Sequence, residues 1–186
     1  NVLELTQVTL ESHRQTRLRH LDLRSDAPVI AITGPNGSGK TTLLRLLAGE
    51  HSPTLGCISL HSKPLHQSRV IFADDPPWQH TQVDQLLQYS TALASHREQR
   101  FSLPDIVQRL GMNALLGRCA AALSAGQQQK ISLALALTAQ PDLLLLDEPF
   151  NGLDNEAIQH FSQTLRWAST QCQILLSGHQ WRILQQ

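Results

Sequence analysis

The chain has 186 residues with 15 Lys+Arg against 15 Asp+Glu, so its formal net charge is zero. That length holds one domain with a sizeable core and is too short for two ordinary ones, while 41% apolar residues are too many for a disordered chain. A binder of nucleic acid that works by bulk electrostatics would be basic, so this charge balance argues against such a partner.

In chain order, residues 2–5, 8–10 and 17–23 alternate apolar and polar side chains and read as strands. Residues 29–33 form a short β-branched run that ends in a glycine-rich turn. A leucine-rich helix follows over 42–48 and closes at Gly49, a plausible C-terminal cap. Residues 57–60 and 70–73 are further strands. From about 75 to 140 the character changes to helical stretches at 83–94, 104–110 and 127–139, broken by Pro76, Pro77, Gly111 and Gly117. Strand pattern returns at 143–146, a helix at 157–168, and a last strand at 174–176. A strand-rich core interrupted by helices and then resumed predicts an α/β fold with a mostly parallel sheet, an N-terminal antiparallel β portion and an inserted helical subdomain.

Gly34-Pro35-Asn36-Gly37-Ser38-Gly39-Lys40-Thr41 fits the phosphate-loop pattern, between a strand and a helix where the mechanism requires it. Glycines let successive N–H groups converge on an anion, and the helix dipole adds about 0.3–1 kcal/mol when exposed and up to about 2 when partly buried. Lys40 supplies a mobile charge for the β- and γ-phosphates. Thr41, followed by Thr42, offers a hydroxyl to Mg²⁺, which keeps most of its ligands as water and phosphate oxygen. A glycine-rich turn that happens to precede Lys-Thr is the bland alternative.

Four leucines lead into Asp147 and Glu148. Asp147 at a strand end would face the metal beside Thr41 through water, and Glu148 could orient and deprotonate an attacking water. Leu123-Ser124-Ala125-Gly126-Gln127 opens the third predicted helix, with Ser124 able to cap it and Gly126 permitting close backbone approach. Alone, this segment reads as an ordinary capped helix; with free amides it is a second anion site. No stretch approaches the ~20 apolar residues of a membrane span, and Asn1 opens no signal-peptide pattern. Cys57, Cys119 and Cys172 are dispersed, as expected of reduced thiols in the cytoplasm rather than a disulfide frame.

The phosphate loop, the Leu-Ser-Ala-Gly-Gln signature, the hydrophobic-Asp-Glu strand, Pro149-Phe150-Asn151-Gly152-Leu153-Asp154 and finally His179 occur in the order of one family. The chain resembles the ATP-binding cassette (ABC) ATPases, and the resemblance covers nearly its whole length. It implies a phosphate-loop NTPase (RecA-like) core at 1–74 and 141–186, a helical subdomain at 75–140, and ATP with Mg²⁺ as ligands. It implies a head-to-tail dimer in which Ser124, Ala125, Gly126 and Gln127 serve the partner's γ-phosphate. Glu148, His179 and Lys40 are then the catalytic set, and Asp154 lies at the interface between copies. The further expectation is a transporter subunit on the cytoplasmic face of the inner or plasma membrane, energising separate integral permease subunits. The wording of the motifs is most similar to small exporter-type cassettes. The alternative is a soluble ABC ATPase acting on ribosomes or nucleic acid.

The sequence also departs from the family. Asp74 stands where a Gln would touch the metal; a carboxylate there would meet Mg²⁺ through water, or Asp74 and Asp75 are solvated turn residues. Near Ser12 no Tyr or Phe is present to stack adenine, leaving His13, and Leu135 replaces a usual Arg. The family ordinarily continues with another strand and helix beyond the position of Gln186, so a truncated C-terminus is expected.

Overall fold

The computed structural model describes residues 2–12, 15–73 and 80–185. His13, Asp74, Asp75 and Trp78 lie outside the described residues. Two four-stranded sheets form the framework. The first is antiparallel, in the order β2-β1-β4-β5, from β1 (Leu3–Ser12), β2 (Gln15–Ser25), β4 (Leu55–Leu60) and β5 (Lys63–Pro64). The second is parallel, in the order β3-β8-β7-β6, from β3 (Val29–Ile32), β8 (Gln173–Ser177), β7 (Leu143–Leu146) and β6 (Val70–Ala73). Both the parallel core sheet and the N-terminal antiparallel portion expected from the sequence are present, as separate sheets.

Interruptions of the alternating pattern have a structural cause. Leu5 and Val8 are three residues apart, as are Leu18 and Leu21, yet each strand is continuous. Gln7 and His20 adopt φ values of 49° and 46°, and the β1–β2 register shifts at Val8. Each bulge takes up one extra residue, so the apolar set returns to the core face. On β4, Gly56 (φ 86°) meets the β1 bulge so closely that a Cβ would lie 2.4 Å from the Thr6 carbonyl oxygen.

Helix α1 (Lys40–Leu47) connects the two sheets, and α2 (Val83–Leu93), α3 (Leu103–Arg109) and α4 (Ala125–Thr138) lie between β6 and β7 in the chain. After β7 comes α5 (Asn155–Ala168). Helices α4 and α5 begin two residues earlier than their apolar periodicity predicts, because Ser124 and Asp154 cap them. All four residues of β7 and all five of β8 are buried, the continuous apolar pattern of a parallel strand covered on both faces. Leu144, Leu146, Ile174 and Leu176 pack with α4 and α5. Leu143, Leu145 and Leu175 face α1 and the antiparallel sheet. Each such leucine contributes about 1.5–3 kcal/mol by leaving water.

A polar tie fastens the turn before α3 to the start of β7. Gln140, 1% exposed, accepts the Arg100 and Phe101 N–H groups at 2.8 and 2.9 Å and donates to the Phe101 carbonyl at 2.8 Å. The Arg100 guanidinium donates to the Gln140 carbonyl at 3.0 Å, Asp142 Oδ1 at 3.0 Å and the Gln171 carbonyl at 3.1 Å. Trp167 packs edge-on to Phe101, with the Arg109 guanidinium over its face. No helix among the described residues is long and apolar enough to cross a membrane.

Two outcomes follow from this packing. Gln140→Leu strands two N–H groups and a carbonyl, so stability measured by urea unfolding falls by about 2–4 kcal/mol. Burial pushes the Cys172 thiol up to about 12 from its ordinary 9.0, whereas Cys57 is exposed. A thiol reagent at neutral pH therefore labels Cys57 in the folded protein and Cys172 only on unfolding. The folded state holds the Cys172 proton more tightly than the unfolded chain does. Its contribution to stability is complete below pH 9.0 and is lost as pH rises toward 12.

Candidate functional site: a phosphate loop at the carboxyl edge of the parallel sheet

Beyond Ile32 the chain turns through residues 33–39 into α1. Gly37 and Gly39 have φ of 81° and 95°, a region that only glycine enters freely. A Cβ on Gly34 would lie 2.9 Å from Ser38 Oγ, and one on Gly39 would lie 3.1 Å from a methyl of Leu18. The loop therefore has no room for a side chain at Gly34 and Gly39, while at Gly37 it is the positive φ that calls for glycine. No side chain caps α1, so the amides of its first turn (Lys40, Thr41 and Thr42) point outward without an intrahelical partner. Pro35, Asn36, Gly37 and Ser38 are exposed. Lys40 is 8% exposed, with Nζ donating to the Gly34 and Pro35 carbonyls at 2.9 and 3.1 Å. Its ammonium is thus held across the loop by weak neutral acceptors that a phosphate would outcompete.

The strand ends then bring distant residues together. Thr41 Oγ1 donates to Asp147 Oδ2 at 2.6 Å. Asp147 Oδ1 accepts the hydroxyl of Ser177, which is 1% exposed, and Ser177 Oγ accepts the Glu148 N–H at 2.9 Å. Glu148 has φ 46°. Its carboxylate accepts the side-chain amide of Asn151, and its carbonyl accepts the Asn151 N–H at 3.1 Å. His179 follows Gly178 (φ 120°) just past β8 and is exposed. The structure thus joins Thr41, Asp147 and Glu148 in one hydrogen-bonded group at the carboxyl edge of the sheet, where open α/β folds bind ligands. Ser177 and Asn151 were not anticipated. The signal for Ser177 was a single hydroxyl directly after the apolar run 174–176.

The signature segment forms a second feature. Ser124 Oγ accepts the Gln127 N–H at 3.3 Å, and Gln127 Oε1 accepts the Ser124 N–H at 3.1 Å, a reciprocal capping box. This leaves the Ser124 hydroxyl proton for another acceptor. A Cβ on Gly126 would sit 3.2 Å from a Leu153 methyl, so the close approach here is to the turn before α5. A cavity of about 540 Å³ is lined by Ser124, Gly126, Gln127, Lys130 and Asp154, among others, and by no phosphate-loop residue. Asp154 also caps α5, accepting the Ala157 N–H at 2.7 Å.

A phosphate loop, a strand-end acid pair and a parallel sheet define a phosphate-loop nucleotide-binding protein. Residues 20–151, more than half of the chain, match the family described as ABC transporter, and the chain belongs to that family. It is 36% identical over 137 residues to the molybdenum import ATP-binding protein ModC of Mesorhizobium japonicum, covering 67% of this chain and 37% of ModC. It is 35% identical over 171 residues to the cytochrome c biogenesis ATP-binding export protein CcmA of Pseudomonas fluorescens, covering 87% of this chain and 81% of CcmA. The chain thus spans well under two thirds of ModC and most of CcmA. A solved ATP-binding subunit of an ABC transporter shares the fold, with a TM-score of 0.82 at 23% identity over 97% of this chain and 80% of that one.

The loop geometry sets an expected outcome for one substitution. Gly39→Ala places a β-carbon at φ 95° against Leu18, so stability falls by about 1–3 kcal/mol. Calorimetry reads the stability loss, and isothermal titration with ATP reads an accompanying loss of affinity.

Proposed function

We propose that this chain is the ATP-binding and ATP-hydrolysing subunit of an ABC transporter. In this reading it acts as a head-to-tail homodimer on the cytoplasmic face of the inner or plasma membrane and energises separate permease subunits. Segments 1–74 and 141–186 form the nucleotide-binding core, and 75–140 forms the helical subdomain. The observation that carries the reading is the separation of the phosphate loop before α1 from the signature end of α4, whose adjoining cavity is lined by no phosphate-loop residue. Each is half of a site, and a second copy in reverse orientation completes both. The relatives named for import and for export support a transport engine whose cargo is chosen by other subunits. They favour transport over ribosome or nucleic-acid work.

In this reading the amides of 34 and 36–42 and the Lys40 ammonium bind the β- and γ-phosphates, and Ser124 and Gly126 of the partner copy contact the γ-phosphate from the other side. Thr41 and Asp147 fit a magnesium ion, which Thr41 would meet with its hydroxyl and Asp147 would hold through water, since the hydroxyl and the carboxylate stand 2.6 Å apart. Asp74 is proposed to approach the same ion through water. Bound magnesium would neutralise charge on the β- and γ-oxygens. The Glu148 carboxylate takes a proton from water as the water oxygen bonds to the γ-phosphorus and the bond to the β,γ-bridging oxygen breaks. Lys40 offsets the charge left on the departing diphosphate. His179 holds the γ-phosphate and the attacking water, and Asp154 lies at the interface between copies.

Glu148→Gln retains the side chain's shape and loses the base. It is expected to bind Mg-ATP and dimerise, as read by light scattering, while hydrolysis falls by about 10²–10⁴-fold. Hydrolysis at the wild-type rate removes Glu148 from the base role, and a strictly monomeric variant at saturating Mg-ATP removes the dimer.

A further inference from the structure

We propose that Ser177 is a positioning residue for hydrolysis: one buried hydroxyl sets the backbone of Glu148 and the carboxylate of Asp147 together. The inference rests on the ATPase reading above. Pairing of β7 with β8 ends at Leu146 opposite Leu176, so Asp147 and Glu148 run past the last ladder pair. A peptide N–H that leaves a sheet in the interior needs another acceptor. Ser177 supplies it, accepting the Glu148 N–H at 2.9 Å. Its own proton goes to Asp147 Oδ1, while Thr41 donates to Oδ2 at 2.6 Å. Asp147 is thereby held at both oxygens as an acceptor, which suits the ionised carboxylate.

The orientation of Glu148 depends on the same bond. A glutamate at φ 46° is strained, and such a conformation persists only where its surroundings fix it. Three contacts do so. Besides Ser177, the Asn151 N–H reaches the Glu148 carbonyl at 3.1 Å, and the Asn151 side-chain amide donates to the Glu148 carboxylate. Releasing the N–H lets φ relax, which swings the Cα–Cβ bond and with it the carboxylate. Ser177 is the last residue of β8 and sits two residues before His179, so the tether of Glu148 lies where the strand hands over, through Gly178, to the segment that carries His179. Packing alone gives no reason for a hydroxyl here, since residues 174–176 before it are apolar and the position is 1% exposed.

Ser177→Thr and Ser177→Val add the same bulk and differ in the hydroxyl, so comparing them cancels packing. In Mg-ATP hydrolysis by the full chain, Thr keeps kcat within about 3-fold of wild type, whereas Val lowers kcat about 10–100-fold with KM for ATP changed less than about 3-fold. Hydrogen exchange at the Glu148 amide, measured without nucleotide, is slow in wild type and Thr and at least about tenfold faster in Val. Equal losses in Thr and Val assign the effect to packing and overturn the proposal, as does a Val variant with wild-type kcat and exchange. A wild-type chain that hydrolyses no ATP refutes the ATPase reading instead, and the exchange comparison still decides whether Ser177 holds Glu148. Should either β-branched variant fail to fold, the exchange comparison of wild type with Ser177→Ala decides in the same way: faster exchange supports the tether, and unchanged exchange overturns it.

Discussion

The hydrogen bond from Thr41 to Asp147 joins residues 106 apart in sequence, and the site depends on that closure. One partner lies in the first turn of α1 after β3 and the other follows β7, so the bond forms only when the parallel sheet has aligned these two strand ends across β8. Neither residue is catalytic chemistry by itself. Their juxtaposition turns a glycine loop and an acidic dipeptide into a place where phosphate, metal and water can meet. Parallel strands require crossover connections, and such long-range closure is costly in chain entropy. The leucine-filled strands β7 and β8 offset that cost by burying every side chain they carry.

Much of this was legible in the chain. The phosphate loop announces itself because its glycines are needed at fixed offsets, and φ values of 81° and 95° at Gly37 and Gly39 bear out the need. The strand 143–146 was legible because a buried parallel strand has no polar residues to confuse its pattern. The helix starts at 125 and 155 were less so: Asp154 was read for an interface, and its backbone cap came to light only with α5. The bulges at Gln7 and His20 left only a broken alternation, which reads equally as two short strands. Ser177 and Gln140 were illegible for a different reason. Each satisfies partners far away in sequence, and a single polar residue in an apolar run carries no mark of which backbone group it will meet.

Helix α4 is held differently at its two ends. At the return to β7, Gln140, Arg100 and Asp142 interlock through hydrogen bonds of 2.8–3.1 Å. Near the site, the signature end of α4 rests on the turn before α5 through Gly126 and Leu153, an apolar contact without directional bonds. The hydrogen-bonded end lies at the amino edge of the parallel sheet and the signature end beside the turn before α5.

The alternating leucines of β7 have a mechanical consequence. Leu143 and Leu145 belong to one core, Leu144 and Leu146 to the other, and the ribbon between them ends in Asp147. Close-packed interiors transmit displacement rather than absorb it. A jolt on either side, whether from the glycine loop through α1 or from the helical insert through α4, arrives at the same carboxylate. The strand is a rod shared by both cores, and what little free volume borders its tip, a cavity of about 20 Å³ beside Leu146 and Asp147, lies on the α4 side.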